Sequence, residues 1–453
     1  MRRVLQDVVR VVRGLSPRTV LVAAWGFMLA YAFPGYMNWD SGDQLFQLRN
    51  GELHDWHPPM MAGYWSIIEV FVHGPFGMLV LQTSLFLWGL YELLRQRLDD
   101  RAAAWIAAAL FLYPPIFTPM APVWKDAQMA GFLAAGVGLA LRPSWKERVG
   151  GLVLLVLATG VRDNTAAALP NLMLWIAAAW GTRGWFRKCA LGFALFVAVV
   201  GAASFANKQL TDKRDHAWYK TVAIFDIAGT IAHAEPISDA ELTRILDGAG
   251  LVPAATDKLQ ARMRKVYSPR VWFQLSFSEE AVFITLPDKA QRLARKRALM
   301  ELVRRYPEAY IAHRWAVTRE LLGLTKQPMW EPVCQTFAAN NDHLVRVSHD
   351  HRHSWLQQKV GGFYKDKLSK RIFFKPWAYL LLAFAFLGYG LYRRDQMIVA
   401  LTGSGLLYEV SYVVVTAAPD YRYSHWMVTG TCICAVVVFA ERLRAGRAKE
   451  PRT

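Results

Sequence analysis

Long apolar runs separated by short polar links dominate this sequence, and one long polar block interrupts them. A helix crosses a bilayer with about 20 predominantly apolar residues. Runs near that length occupy 19–36, 76–95, 102–119, 127–142, 149–165, 166–182, 189–207, 377–393, 396–416 and 424–441. This pattern predicts an all-α polytopic membrane protein with about ten transmembrane helices. We divide it into an N-terminal transmembrane module (1–207), an outer segment (208–375) and C-terminal helices with a basic tail (376–453).

The distribution of charge assigns the two sides of the membrane. The chain has 53 Lys and Arg against 35 Asp and Glu, a net charge of +18. Many of these cations lie in alternate short links, including 95–101, 142–148 and 183–188. Because cytoplasmic loops carry the excess of Lys and Arg, both termini are predicted to be cytoplasmic. This placement argues for membrane lipids rather than nucleic acid as the partner of the basic charge.

One apolar segment, from Pro58 to His73, is too short to be counted as a span and carries Glu69 near its centre. If it were counted as a span, every later polar link would change sides of the membrane, and the basic link 95–101 would lie outside. We therefore predict an interfacial helix on the outer surface. The polar block 208–375 then forms one large extracytoplasmic loop, and its sequence predicts helices over 237–249 and 288–323.

The first outer loop (37–75) collects acids directly after the first apolar run. Asp40 and Asp43 are three residues apart, so they share one face of a helix. Either carboxylate is a candidate general base toward a hydroxyl. The pair is also suited to share a divalent cation such as Mg²⁺ or Mn²⁺, although no metal is identified by the sequence. The alternative is a solvated loop with a helix cap.

The same loop ends in a group of aromatic, acidic and imidazole side chains, namely His54, Asp55, Trp56 and His57. Aromatic rings near an acid suit the face of a sugar, so these residues are candidates for binding substrate. Trp and His are equally ordinary anchors at a membrane interface. The sequence leaves both interpretations open.

Each later outer turn offers one cation beside an acid or an amide. These cations are Lys125 before Asp126, Arg162 before Asp163 and Asn164, and Arg422 between Tyr421 and Tyr423. If the three converge, they form a phosphate clamp in which arginine supplies bidentate donors. The alternative is three separate cations that snorkel to lipid headgroups.

Two further polar features have no clear assignment. Glu409 lies inside an apolar run, where an acid needs a partner. Structural pairing with a neighbouring helix and a catalytic role are the two alternatives. His349, His351 and His353 alternate near the end of the outer block and would face one way on a strand, as metal ligands or as part of a polar loop. No Gly-rich nucleotide loop is present, so ATP-driven chemistry is unsupported.

These pieces in this order resemble the GT-C superfamily of membrane glycosyltransferases, which includes protein O-mannosyltransferases and the aminoarabinose transferases that modify lipid A. The shared pattern is a first helix, an outer loop with a catalytic Asp, and a surface helix that opens here at His57-Pro58-Pro59. Basic outer turns and a large outer segment before the last helices follow. The chain departs from the usual acidic pair or Arg-Pro-Asp, because Lys125-Asp126 stands in that place.

The resemblance implies a GT-C-type bundle in a bacterial inner membrane with its active site facing outward. The implied reaction is inverting transfer of a hexosyl or pentosyl group from a polyprenyl-phosphate donor to a hydroxyl of a glycan, lipid or protein. Asp40 or Asp43 would be the base, and Lys125, Arg162 and Arg422 would bind the donor phosphate. Substrate contacts would come from His54, Asp55, Trp56, His57, Asp126, Tyr421 and Tyr423.

Two other functions compete with this one. A transporter or flippase of lipid-linked glycans is the main alternative, but transporters usually place ionisable groups near the midplane of the bilayer. Here most such groups lie at outer helix ends. An O-antigen ligase or polymerase also uses basic outer loops, and the sequence separates it less well from a glycosyltransferase.

Overall fold

The computed structural model describes residues 14–253, 258–325, 332–335 and 353–447, and these ranges fold into helices. Their β pairings are isolated bridges, such as Tyr36 with Pro122 and His54 with Lys213. The all-α class predicted from the sequence is therefore confirmed.

The helices of the N-terminal part and the outer segment follow in chain order. The N-terminal part contains α1 Pro17–Ala32, α2 Trp39–Asn50, α3 Met60–Phe71, α4 Phe76–Arg95, α5 Asp100–Phe111, α6 Pro114–Met120, α7 Lys125–Ala140, α8 Trp145–Val161, α9 Thr165–Ala179 and α10 Trp185–Leu210. The outer segment contains α11 Ala217–Lys220, α12 Val222–His233, α13 Asp239–Ile245, α14 Leu259–Val266, α15 Gln274–Phe277, α16 Lys289–Arg305 and α17 Pro307–Leu321.

The C-terminal part returns to long apolar helices. It contains α18 Trp355–Phe363, a π turn Tyr364–Leu368, a 3-10 turn Ile372–Phe374, α19 Pro376–Arg393, α20 Gln396–Val415, a 3-10 turn Tyr421–Ser424 and α21 His425–Arg447. Each of the ten predicted spans thus contains a helix of the structure.

Fewer of these helices meet the requirements for crossing a bilayer. Within the described ranges, four are long and apolar enough: α4, α10, α20 and the continuous segment Tyr421–Arg444. The pair α5 and α6 would make a fifth, but its two halves meet at 70°. Pro114 and Pro115 explain this break, since proline disfavours helical backbone in the residue before it. The structure therefore supports four or five spans, and the remaining predicted spans contain helices that do not meet these criteria.

The short helix α3 has two different faces. Val70 and Phe71 are 74% and 81% exposed. On the buried side, Glu69 accepts a hydrogen bond from Arg49 Nε at 3.0 Å and another from the backbone N–H of Gly74 at 2.8 Å. Twelve residues extend about 18 Å, too little to cross a bilayer. Helix α3 is thus too short to be a span, and its position at the interface stays a prediction.

Helix α7 is the centre of the membrane part, and close backbone contacts fix its position. A Cβ atom at Gly89 would lie 2.5 Å from the carbonyl carbon of Ala134, and one at Gly131 would lie 2.9 Å from the backbone oxygen of Gln82. These glycines allow α4 and α7 to pack at close distance. The side chain of Gln82 also donates to the carbonyl of Pro122 at 2.8 Å, which fixes the turn leading into Lys125.

The outer segment has a hydrophobic core of its own. Helix α12 supplies Phe225 and Ile227, which pack with Leu242 and Leu302 from α13 and α16. Helix α17 joins this core to the C-terminal helices, because Arg314 Nη1 donates to the carbonyl of Thr416 at 2.8 Å. Thr416 follows α20 and begins the turn that leads to Arg422.

Candidate functional site

The first turn of α2 positions Asp40. The side chain of Asn38 caps this helix by accepting from the N–H of Ser41 at 3.4 Å. A carboxylate in a first turn is favoured by the positive end of the helix dipole. The Ser41 hydroxyl donates to the carbonyl of Val123 at 2.5 Å, so α2 is attached to the segment that precedes Lys125.

Three outer turns that are distant in sequence meet beside Asp40. Arg422 Nη2 donates to Asp40 Oδ2 at 2.7 Å, and Arg422 Nε lies 3.2 Å from Asp420 Oδ2. Asp126 lies between the two arginines, with Oδ2 at 3.6 Å from Arg422 Nε and Oδ1 at 3.3 Å from Arg162 Nε. Acids and guanidinium groups thus alternate from Asp40 to Arg162.

Lys125 closes this group on the other side through His57. The Lys125 ammonium is 2.5 Å from His57 Nδ1, and His57 Nε2 is 3.6 Å from Asp40 Oδ1. His57 thus links Lys125 to Asp40. Arg162 is joined to Arg422 through Asp126, whereas the role of these three cations as a phosphate clamp stays a prediction.

Aromatic rings fix the orientation of both arginines. Arg162 Nε donates to the Tyr412 hydroxyl at 2.9 Å. The rings of Tyr412 and Tyr423 stack with centroids 4.6 Å apart, and Arg162 lies over both of them. Arg422 lies 4.7 Å from the centroid of Trp124. These cation–π contacts leave the guanidinium planes little freedom to turn.

The electrostatics separate the two candidate bases. Burial alone would raise the pKa of Asp40, but Arg422, His57 and Lys125 together hold that pKa well below its usual value. Burial raises the pKa of Asp43, and His57 only partly offsets it. Asp43 accepts a hydrogen bond from Gln47 Nε2 at 2.7 Å and has no ion pair with Arg422 within the described ranges. Asp40 is thus the carboxylate paired with the cations.

Burial also changes the two basic groups beside Asp40. It lowers the pKa of Lys125, which precedes the predicted span 127–142, to about 7, and the neighbouring Arg162 acts in the same direction. Burial and the charge of Lys125 lower the pKa of His57, against the opposing effect of Asp40. With a pKa of about 7, Lys125 titrates near neutral pH.

The site retains unused hydrogen-bonding capacity. Arg422 Nη1, His57 Nε2 and both carboxylate oxygens of Asp126 are buried, and none has a hydrogen-bond partner among the residues that the structure describes. Buried polar atoms are normally satisfied by protein, water or ligand. The side chain of Asp40 is 22% exposed while that of Arg422 is 8% exposed, so the site opens beside Asp40. A polar ligand entering there would meet free donors.

Several predicted substrate residues make contacts elsewhere. His54 Nδ1 is 3.0 Å from Asp215 Oδ2, and Asp55 accepts from the backbone N–H groups of Asp215 and His216. Trp56 packs on Trp272 with centroids 5.8 Å apart. In the structure these three residues fasten the first outer loop to the outer segment.

The other predicted residues divide in the same way. His57, Asp126 and Tyr423 belong to the group around Asp40. Tyr421 is buried behind it and donates to the carbonyl of Pro115 at 3.2 Å. Glu409 accepts from the Ser424 hydroxyl at 2.9 Å, which gives the buried acid a structural partner. Tyr412 was not among the predicted residues, because a tyrosine inside an apolar run carries no signal of a site.

A divalent cation shared by Asp40 and Asp43, which the sequence left open, stays a prediction. Within the described ranges, no group of three or more His, Cys, Asp or Glu side chains is arranged to hold a metal ion. The guanidinium of Arg422 is the cation paired with Asp40. His349 and His351 lie outside the described residues, so the alternating-histidine hypothesis is not assessed by this structure.

The described ranges define an all-helical protein with four or five candidate membrane spans and a buried group of acids and cations. No protein-family model matches the chain, and no curated protein sequence matches it. Among solved structures, it is similar to the archaeal oligosaccharyltransferase AglB from Archaeoglobus fulgidus, determined with an inhibitory peptide and a dolichol-phosphate. The match has 14% identity and a TM-score of 0.39, and it covers 96% of this chain and 52% of AglB. The chain thus spans about half the length of that protein.

Proposed function

We propose that this protein is a membrane glycosyltransferase that moves a sugar from a polyprenyl-phosphate donor to an acceptor hydroxyl on the outer face. The observation that carries the proposal is the ion pair of Asp40 with Arg422. His57 links this pair to Lys125, and Asp126 links it to Arg162. A carboxylate beside clustered cations combines a group that accepts a proton with groups that bind phosphate.

Asp40 acts as the general base in this proposal. Its carboxylate is ionised and partly exposed, so an acceptor hydroxyl can reach it. While Arg422 pairs with it, however, the carboxylate is a weak base. When a donor phosphate binds Arg422, the guanidinium is shared between two anions. Arg422 then lowers the pKa of Asp40 less than before. Binding of the donor thereby raises the pKa of Asp40 toward the value that proton transfer needs.

The cations stabilise the leaving phosphate. The acceptor oxygen attacks the anomeric carbon, the bond from that carbon to the phosphate oxygen breaks, and its electron pair leaves with the phosphate. Asp40 takes the proton of the hydroxyl, and the anomeric configuration inverts. Lys125, Arg162 and Arg422 face the charge that develops on the phosphate, and preorganised donors of this kind lower the barrier. Arg422 Nη1, which has no hydrogen-bond partner among the described residues, is one donor for it.

Binding of a lipid phosphate tests the proposal before the acceptor is known. Purified protein would be titrated with polyprenyl phosphate, and with the polyprenyl alcohol of equal length as the control ligand. We expect the phosphate to bind at least about tenfold more tightly, since a charge-assisted hydrogen bond contributes about 1.5–3 kcal/mol. Arg422→Ala should remove most of that preference, while Arg101→Ala at a predicted cytoplasmic link should keep it. Equal binding of both lipids would overturn the phosphate clamp.

Transfer itself needs a second measurement. The protein would be incubated in membranes with labelled polyprenyl-phosphate sugars and candidate acceptors, and the label followed into product. Movement of intact donor across the bilayer without release of polyprenyl phosphate would refute the transferase and favour a flippase. A cysteine in place of Glu52 should react with an impermeant reagent in whole cells; reaction only after permeabilisation would refute the outward orientation.

A further inference from the structure

A second polar cavity lies at the other end of the bundle from Asp40. It is a cleft of about 740 Å³ between the ends of four long helices. Its wall contains Gln96 and Arg97 after α4, Arg393 to Met397 at the junction of α19 and α20, Trp175 of α9, and Glu441 and Arg444 of α21. Helix α20 has 20 residues and is about 30 Å long, with the cleft at its start and Tyr412 near its end. The cleft is therefore separate from the candidate active site.

The cleft has more cations than acids. Four arginines line it, against the two acids Asp395 and Glu441. Arg97 engages both acids, with Nη2 at 2.7 Å from Asp395 Oδ2 and Nη1 at 3.3 Å from Glu441 Oε1. Asp395 also caps α20, since its Oδ1 accepts from the N–H of Met397 at 3.0 Å.

Because Arg97 takes both acids of the cleft, the other three arginines have no described carboxylate inside it; Arg444 acts electrostatically on Asp99, which lies outside the cleft. Among the described residues, no carboxylate forms an ion pair with Arg393, Arg394 or Arg444. Arg444 Nη1 donates to the backbone carbonyl of Arg97 at 3.0 Å, which draws this side chain toward the cleft. A cavity with an excess of guanidinium groups is suited to bind phosphate.

Apolar side chains beside the cleft indicate what carries that phosphate. Tyr392 is 83% exposed and Leu391 60% exposed in the last turns of α19. Phe439 and Leu443 are exposed at the corresponding end of α21. Exposed apolar groups on helices of a membrane protein face acyl chains, so the arginines lie where a lipid headgroup meets its tails.

We propose that this cleft binds an anionic phospholipid. Its headgroup phosphate pairs with Arg393, Arg394 and Arg444, and its acyl chains lie along Leu391 and Tyr392 of α19 and Phe439 and Leu443 of α21. Basic pockets between membrane helices bind anionic headgroups in this way. The bound lipid holds the ends of α4, α19, α20 and α21 together, so it stabilises the folded protein. The inference is independent of the glycosyl transfer proposed above.

The test compares two lipids with the same acyl chains. Protein purified in detergent would be mixed with phosphatidylglycerol or phosphatidylcholine, and its unfolding temperature and retained lipid measured. We expect phosphatidylglycerol to raise the unfolding temperature by about 3 °C or more over phosphatidylcholine and to be retained preferentially. Equal stabilisation by the two lipids would overturn the proposal. An equal shift with inorganic phosphate alone would show a free-anion site and overturn the assignment to lipid.

Matched double variants locate the effect. Arg393→Gln with Arg394→Gln should abolish the difference between the lipids while leaving the unfolding temperature in phosphatidylcholine nearly unchanged. Arg183→Gln with Arg187→Gln removes two exposed cations from another basic link and should keep the difference. Should the Arg393 and Arg394 variant fail to fold, Arg444→Gln serves instead. An undiminished preference in the cleft variants would assign the lipid elsewhere and refute the site.

Discussion

Two clusters in this molecule join an aspartate, an arginine and a histidine, and they differ in access to solvent. In the candidate site, Asp40 pairs with Arg422 and lies near His57. In the outer segment, Asp226 pairs with Arg314, and His313 Nε2 lies 3.1 Å from Asp226 Oδ1. The side chain of Asp40 is 22% exposed, whereas that of His313 is 0% exposed.

The two histidines show the difference most clearly. Both ring nitrogens of His313 have partners, because Tyr267 donates its hydroxyl to Nδ1 at 2.7 Å and Asp226 accepts from Nε2. Burial lowers the pKa of His313, so the ring is neutral as this pattern requires. A Cβ atom at Gly229 would lie 2.0 Å from its Nδ1, so there is no room for a ligand. His57 Nε2, in contrast, makes no hydrogen bond within the described structure and lies 3.6 Å from Asp40 Oδ1.

The comparison teaches that the types of charged residue do not by themselves define a site. The sealed cluster fastens α12 to α17 and, through Arg314, to the turn at Thr416. The open cluster has free donors and a carboxylate that a substrate can reach. Accessibility separates the two. Buried donors without a hydrogen-bond partner among the described residues occur in both, such as Arg314 Nε in the sealed cluster and Arg422 Nη1 in the open one.

The largest effect is expected at Asp40. Asp40→Asn should lower the rate of sugar transfer about 10²–10⁴-fold, the usual contribution of a general base, because an amide does not accept the proton. Asp43→Asn is the matched control, and transfer should stay within about tenfold of the unsubstituted protein. Thermal unfolding of both variants would check folding. Loss of transfer in Asp43→Asn alone would assign the base to Asp43 instead.

In the sealed cluster, the expected loss is in stability. Asp226→Asn leaves Arg314 buried without its counter-ion, and breaking a buried pair in this way costs about 3–5 kcal/mol of unfolding free energy. Glu301→Gln removes the surface ion pairs with Arg244 and Arg305 and should leave stability almost unchanged. Chemical unfolding measures both. If Asp226→Asn kept full stability but lost donor binding, the sealed cluster would belong to the functional site.

The dependence of donor binding on pH examines Lys125. Its pKa of about 7 means that the ammonium predominates below that pH and is lost above it. Affinity for a polyprenyl-phosphate sugar should therefore fall by up to about tenfold between pH 6 and pH 8. Lys125→Arg keeps its charge and should flatten the profile. An unchanged slope in that variant would mean that another group titrates.

The sequence predicted much of the helical frame and the composition of the site. Apolar runs located the helices, and the short run opening at His57-Pro58-Pro59 became the short helix α3. One cation on each predicted outer turn singled out Lys125, Arg162 and Arg422 as candidates. These signals are local, since the length of a run and the charge of a turn require no knowledge of distant residues.

The sequence could not supply the pairings across long separations. Asp40 and Arg422 are 382 residues apart, and the choice between Asp40 and Asp43 depends on which one that guanidinium reaches. The contact of His54 with Asp215 likewise spans 161 residues, so a group resembling a sugar site became a link to the outer segment. Such contacts depend on tertiary packing, which the local pattern of residues along the sequence does not reveal.

The smallest expected effect comes from the same substitution in each cluster. Tyr412→Phe removes the hydroxyl that accepts from Arg162 and retains the ring stacked on Tyr423. Tyr267→Phe removes the hydroxyl that donates to His313. Each change deletes a hydrogen bond worth about 1 kcal/mol. In the open cluster this should weaken binding of polyprenyl phosphate about fivefold, because Arg162 becomes freer to turn away.

In the sealed cluster the loss should appear as lower unfolding free energy with unchanged donor affinity. Binding titration and chemical unfolding, applied to both variants, therefore give opposite patterns if one cluster binds substrate and the other only joins helices. Parallel losses of affinity in the two variants would contradict the division, and would mean that the turn from Thr416 to Arg422 transmits a change in the outer segment to the donor site.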